Sequence, residues 1–218
     1  MKKLFLLLLL SLGFIGSAFA DINDAEDAYE SGDYKTAFQE FLVLARKGDS
    51  LAQSWVGYLY DHGQGIAEND ISAVLWYRKA ADQGSAYSQN ALGLMYEMGH
   101  GIPKNYTQAV HWYRKAANQG HDLGQYNLGT MYDHGKGVTE NDKLAVSWYK
   151  KAANQGLARA QNVLGYMYDH GEGVTENDKL AVSWYRKAAD QGHASGQYNL
   201  GYMYDHGEGV TENDKLAV

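Results

Sequence analysis

The chain has 218 residues, no cysteine and a single proline, Pro103. Without cysteine it has no disulfide, thiolate metal site, cysteine nucleophile or cysteine-linked lipid. The shortage of proline, beside 25 glycines, excludes collagen-like and proline-rich disordered chains. Basic residues are also short, 19 against 26 acidic, for a formal charge of −7. Nucleic-acid binders carry a basic stripe, and an acidic surface repels phosphate, so no nucleic-acid partner is expected. Long apolar runs are missing after the first twenty residues. Leu4–Ile15 is an apolar run of about a dozen, short of the ~20 residues a membrane span needs. Lys2 and Lys3 precede it and Ala18-Phe19-Ala20 follows it. This is the three-part pattern of a secretory signal peptide over residues 1–20, cut after Ala20. An uncleaved inner-membrane anchor is the alternative. Cleavage leaves 17 basic and 26 acidic residues, a net charge of −9. The expectation is an exported protein, periplasmic or secreted, with no membrane span after cleavage. In an oxidising compartment it would rely on packing alone.

Aromatic residues are plentiful, with 18 tyrosines and five tryptophans, and their placement is regular. Trp76, Trp112, Trp148 and Trp184 step by 36 residues, each followed by a tyrosine. Gly57, Gly93, Gly129, Gly165 and Gly201 take the same step. A fixed period of this size marks a solenoid or array. Full repeats run Asp49–Gly84, Ser85–Gly120, His121–Gly156 and Leu157–Gly192, and a partial fifth runs His193–Val218. Residues 21–48 read as an N-terminal capping helical hairpin, because Ala37, Phe41 and Ala45 fall one period before Ala73, Tyr77 and Ala81.

Each repeat reads as two helices. In the third, Leu128, Met131 and Tyr132 have helical spacing. Gly135-Lys136-Gly137 ends that helix, and Asn141 or Asp142 caps the next. Ala145, Trp148, Tyr149, Ala152 and Ala153 line one side of the second helix. Gly129 sits in mid-helix at a cost of roughly 1 kcal/mol relative to alanine, which close helix–helix approach would explain. The aromatic ladder reads as core, with the Trp-Tyr pair filling the gap between repeats.

The string Leu-Gly-x-Met-Tyr-x-x-Gly-x-Gly-Val, followed by Ala-Val-x-Trp-Tyr-x-Lys-Ala-Ala-x-Gln-Gly, occupies Leu128–Gly156 and recurs in register. It resembles the Sel-one-like repeat family, relatives of tetratricopeptide repeats with a longer inter-helix loop. The resemblance covers about Asp49–Val218. It implies an all-α fold, a right-handed α/α superhelical solenoid of 36-residue helix-turn-helix repeats, and a protein-binding adaptor role. Members of the family assemble membrane-associated complexes, act in quality control and mediate bacterial contact with host cells. A secreted subfamily is cysteine-rich with a disulfide per repeat. This chain departs from it, so hydrolase or penicillin-binding activities attached to that subfamily do not carry over.

Variation between repeats concentrates in the first helix. One position holds Leu51, Tyr87, Leu123, Arg159 and Ser195. A second holds Ser54, Asn90, Tyr126, Asn162 and Tyr198, and a third Tyr58, Leu94, Thr130, Tyr166 and Tyr202. These lie at i, i+3 and i+7, one helical face distinct from the Leu-Met-Tyr core face. Stacked repeats turn that face into a ladder on the concave side. The candidate partner-binding residues are Tyr87, Asn90, Leu123, Tyr126, Thr130, Arg159, Asn162, Tyr166, Tyr198 and Tyr202. The bland alternative is drift on a solvated surface. A peptidoglycan or glycan ligand is a rival to a protein partner, because exposed tyrosines also stack on sugars.

The Asp-His pairs Asp61-His62, Asp133-His134, Asp169-His170 and Asp205-His206 invite a metal or acid–base reading. One pair per repeat cannot converge, and neighbours on a helix point ~100° apart. A helix-end role is expected, with histidine facing the C-terminal dipole. Glu172, Glu176 and Asp178 do not match EF-hand spacing and read as turn and cap residues. The Gly-x-Gly turns lack a dinucleotide fingerprint. No catalytic residue, cofactor or metal site is expected. The chain stops at Lys215-Leu-Ala-Val218, where Ser-Trp-Tyr should follow. That reads as a truncated product, with Leu200, Met203 and Tyr204 partly uncovered and open to self-association.

Overall fold

The structure, a computed structural model, describes residues 21–210. Residues 1–20, where a signal peptide is expected, and residues 211–218 lie outside the described residues. Among the described residues there are eleven helices and no strand. The capping hairpin is α1 (Ile22–Glu30) and α2 (Tyr34–Arg46). Repeat 1 is α3 (Ser50–His62) and α4 (Asp70–Asp82), and repeat 2 is α5 (Ala86–Met98) and α6 (Tyr106–Asn118). Repeat 3 is α7 (Asp122–Asp133) and α8 (Asp142–Asn154). Repeat 4 is α9 (Ala158–His170) and α10 (Asp178–Asp190), and α11 (Ala194–His206) opens repeat 5. Every helix packs on the one before and the one after it, which makes a solenoid.

Capping sets the helix boundaries. Asn69, Asn105, Asn141 and Asn177 each accept a backbone N–H three residues on, at the start of the second helices. Asn141 is thus the cap, not Asp142. Gly63, Gly99, Gly171 and Gly207 close first helices in the left-handed conformation.

The repeating tyrosine is the core of each repeat. Tyr77, Tyr113, Tyr149 and Tyr185 are buried against the mid-helix glycine of their own first helix. A Cβ on Gly93 would lie 2.6 Å from the Tyr113 ring, and one on Gly129 2.9 Å from Tyr149. The glycine therefore makes room for a ring within the repeat rather than for a neighbouring helix backbone. Each tyrosine hydroxyl donates to an acid at the end of that helix, Tyr113 to Glu97 at 2.8 Å and Tyr149 to Asp133 at 3.3 Å. Burial raises all four hydroxyls well above the ordinary tyrosine range.

Between repeats, glutamines form a second periodic system. Buried Gln53, Gln89, Gln125 and Gln161 donate to Ala45, Ala81, Ala117 and Ala153, carbonyls of the preceding second helix. Their own oxygens accept from Gln83, Gln119, Gln155 and Gln191. Each junction thus ties three helices around one buried glutamine, whose amide would cost ~1–3 kcal/mol if left unpaired, with the second glutamine at the surface. The second glycine of each turn completes the contact. Gly137 has φ 68°, and a Cβ there would run into the backbone of Tyr106 in the repeat before.

At the C-terminal end Met203 is fully buried, contrary to the expectation that it would be uncovered, because it packs with Ala181, Val182 and Tyr185 of α10. Leu200 and Tyr204 are half-buried.

Candidate partner-binding face

The first helices line one side of the array. α5 packs directly on α7 and α9 on α11, whereas among the described residues no two second helices form such a pair. The array therefore curves with the first helices inward, and the ladder lies on the inner side. Among the described residues the exposed aromatic rings are Tyr87, Tyr166, Tyr198 and Tyr202, all on first helices and all at ladder positions. Tyr198 is 74% exposed. Arg159 is exposed beside them.

The other candidate positions are half-buried and already engaged. Asn90 accepts from Asn127 at 2.9 Å, and Asn162 from Asn199 at 3.1 Å, each across a junction. Thr130 accepts the Tyr149 hydroxyl and donates to the Tyr126 carbonyl. The Tyr126 ring lies 5.5 Å from that of Tyr149, and the Arg159 guanidinium lies over it at 5.7 Å. Leu123 is half-buried. These five shape the inner face; of the exposed tyrosines, Tyr166 and Tyr202 stack on His170 and His206 at 4.1 and 4.0 Å, and Tyr198 is the most exposed.

Two clefts open on this face. One, of about 680 Å3, lies between repeats 3 and 4 and is lined by Asp122, Tyr126, Leu157 and Arg159 among others. The other, of about 500 Å3, lies between the capping hairpin and repeats 1 and 2, with Tyr29, Trp55, Tyr58 and Tyr87 as walls. Tyr29 and Trp55 escaped the sequence reading because neither belongs to a 36-residue series. The pairing of Trp55 with a stacked Phe41, 5.2 Å away, becomes visible only in the fold.

The Asp-His pairs sit at helix ends. His62, His134, His170 and His206 each bring Nδ1 to 3.0–3.1 Å from the carbonyl four residues back. Asp61, Asp133 and Asp169 take the buried tyrosine hydroxyls. Burial raises the Asp61 carboxyl above its ordinary value. In repeat 2 Glu97 takes over the carboxylate's task. Among the described residues no three His, Asp or Glu side chains converge as metal ligands, and no helix is long and apolar enough to cross a membrane.

The Sel1 repeat family pattern matches residues 50–85, 86–121, 122–157, 158–193 and 194–218, one residue later in frame than the repeats above. The chain is a Sel1 repeat protein. It is similar to the crystal structure of a Sel1 repeat protein from Oxalobacter formigenes, at 37% identity and a TM-score of 0.84, over 90% of this chain and 78% of that one. It is also similar to c5321, a protective antigen present in uropathogenic Escherichia coli strains, at 36% identity and a TM-score of 0.81. That match covers 90% of this chain and 46% of the antigen. A 71-residue stretch, 33% of this chain, is 39% identical to the chitin synthase regulator SKT5 of Saccharomyces cerevisiae. The stretch spans 10% of that curated relative's length. Sel1 repeat proteins generally mediate protein–protein interactions.

Proposed function

We propose that this Sel1 repeat protein is an exported, non-enzymatic adaptor that binds a protein partner along its inner face, in envelope complex assembly or host-cell contact. The observation that carries this reading is the segregation of exposed aromatic rings to the first helices. Tyrosine gives contact area and a polar tip at low entropic cost and is enriched at interfaces. A uniform scaffold with one varying face suits specific recognition. Export rests on the pattern of residues 1–20.

The test is affinity capture from envelope and host-cell extracts with residues 21–218 as bait, beside a variant carrying Tyr166, Tyr198 and Tyr202 each changed to Ser. The three rings are exposed, so helicity by circular dichroism should not change. A protein held by the parent and lost by the variant supports the adaptor. Equal retention overturns the assignment to this face. Retention on purified peptidoglycan, lost by the same variant, would favour the glycan-binding rival instead. Export is checked separately by the mass of the mature chain, which should begin at Asp21.

A further inference from the structure

The two clefts are equivalents two repeats apart. Ser54, Ser85 and Tyr87 line the first where Tyr126, Leu157 and Arg159 line the second. Their chemistry differs. The second carries Arg159 and His193, whereas no basic residue lines the first. We infer that the first cleft seats a basic side chain flanked by apolar residues, presented by a protein partner. This rests on the adaptor reading above and names the chemistry of the partner.

The walls supply the first argument. The Tyr29 and Trp55 rings lie 4.8 Å apart, Trp55 and Tyr58 meet edge-on at 5.8 Å, and Tyr29 meets Tyr58 edge-on at 6.2 Å. Trp55 is fixed from behind by its stack on Phe41. The result is a continuous, pre-set aromatic wall with exposed Tyr87 also lining the cleft. Such a wall buries apolar side chains, and its ring faces attract a cation.

Charge supplies the second. Glu26 stands on the cleft rim, where one carboxylate oxygen accepts the Trp55 indole N–H at 3.3 Å. Around it α1 is uniformly acidic. Asp21, Asp24, Glu26, Asp27, Glu30 and Asp33 precede the first basic residue of the described chain, Lys35. Among the described residues none of these carboxylates is in a salt bridge. The field at the mouth is negative and steers a cation in. A purely apolar ligand would cover Glu26 with no cation to offset its charge, and an acidic one would be repelled. A basic residue between apolar neighbours satisfies both the wall and the rim.

The test titrates three probe peptides into the mature chain. Each has a Gly-Ser frame with a central Leu-Arg-Leu, Leu-Gln-Leu or Leu-Glu-Leu. The readout is the set of tryptophan indole N–H resonances, in which Trp55 alone reports on this cleft. The arginine peptide should move the Trp55 signal, leave Trp148 and Trp184 unmoved, and bind roughly tenfold more tightly than the glutamate peptide. Glu26→Gln should remove most of the arginine-over-glutamine preference, and Tyr87→Ser should weaken all three peptides. The inference is overturned if the glutamate peptide binds equally, if Trp55 does not move at millimolar peptide, or if Glu26→Gln leaves the preference intact. Should that happen while partner capture still depends on Tyr166, Tyr198 and Tyr202, the adaptor reading stands without this cleft. A preserved arginine preference with no such capture dependence would leave the cleft standing without the ladder.

Discussion

The junction between repeats 2 and 3 differs from that between repeats 3 and 4, although the cores on either side are alike. At the former, α7 packs on α5, His121 caps α7, and Gly124 lets the helix settle on α6, where a Cβ would lie 2.8 Å from Ala116 Cβ. The junction between repeats 4 and 5 repeats the pattern with His193, Gly196 and Ala188. Between repeats 3 and 4 the corresponding residues are Leu157, which makes no side-chain cap, and the larger Ala160. Contact across the inner face there passes through Arg159 and Tyr126, over an open cleft. One side chain per first helix therefore tunes how closely neighbours sit, while the tyrosine and glutamine systems stay constant. Recognition surface can open at alternate junctions without loosening the scaffold.

The largest effect should come from breaking a contact common to all junctions. Gly137→Ala forces a Cβ into the Tyr106 backbone at a positive φ. It should cost about 3 kcal/mol, seen as a lower urea midpoint at unchanged m. Gly124→Ala acts only at the close junction and should cost about 2 kcal/mol by overpacking. The reverse change at the open junction, Ala160→Gly, should cost about 1 kcal/mol through helix propensity and lost burial. Equal costs for these two would break the distinction between the junctions. A double-mutant cycle on Asn90→Ala and Asn127→Ala should return a coupling of about 1 kcal/mol.

The His121 cap adds a pH dependence. Burial holds its imidazole below the ordinary value of 6.5. The unfolded chain therefore binds the proton more readily, so the cap's contribution is present above that value and declines as pH falls below it. A protonated Nδ1 can no longer accept the Gly124 N–H. His121→Asn should flatten the loss of stability between about pH 7 and 5 relative to the parent, in urea titrations at each pH. The smallest change is expected from Leu157→Ser. The new cap offsets the lost packing of Leu157, and the midpoint should stay within about 0.5 kcal/mol of the parent.

Period, helix pairing, asparagine caps and the helix-end use of the Asp-His pairs were legible because each recurs at a fixed step. Gln83 and its equivalents recur at the same step, but period alone does not show their reach of thirty residues to Gln53. Variation among repeats marked positions that share the inner side of the first helices, without separating those engaged across junctions from those left exposed. Asn90 and Asn162 vary because they pair with Asn127 and Asn199, which vary with them. A compensated junction and a recognition site look alike until the partner across the gap is known. The cleft beside α1 was hidden for another reason, since its wall residues Tyr29 and Trp55 fall outside every 36-residue series.

Val138–Val146 and Val174–Val182 are identical in sequence, and each enters a second helix in the same register. Tracts this alike let a gene lengthen or shorten by whole units without a reading error in the fold. Junction type adds a parity rule to that freedom. Loss of 36 residues would seat an odd first helix against another odd one and leave Asn127 or Asn199 without its partner. Loss or gain of 72 keeps close and open junctions in turn. In this array the natural currency of growth is the pair of repeats, and a change of length by one pair moves the recognition openings without remaking them.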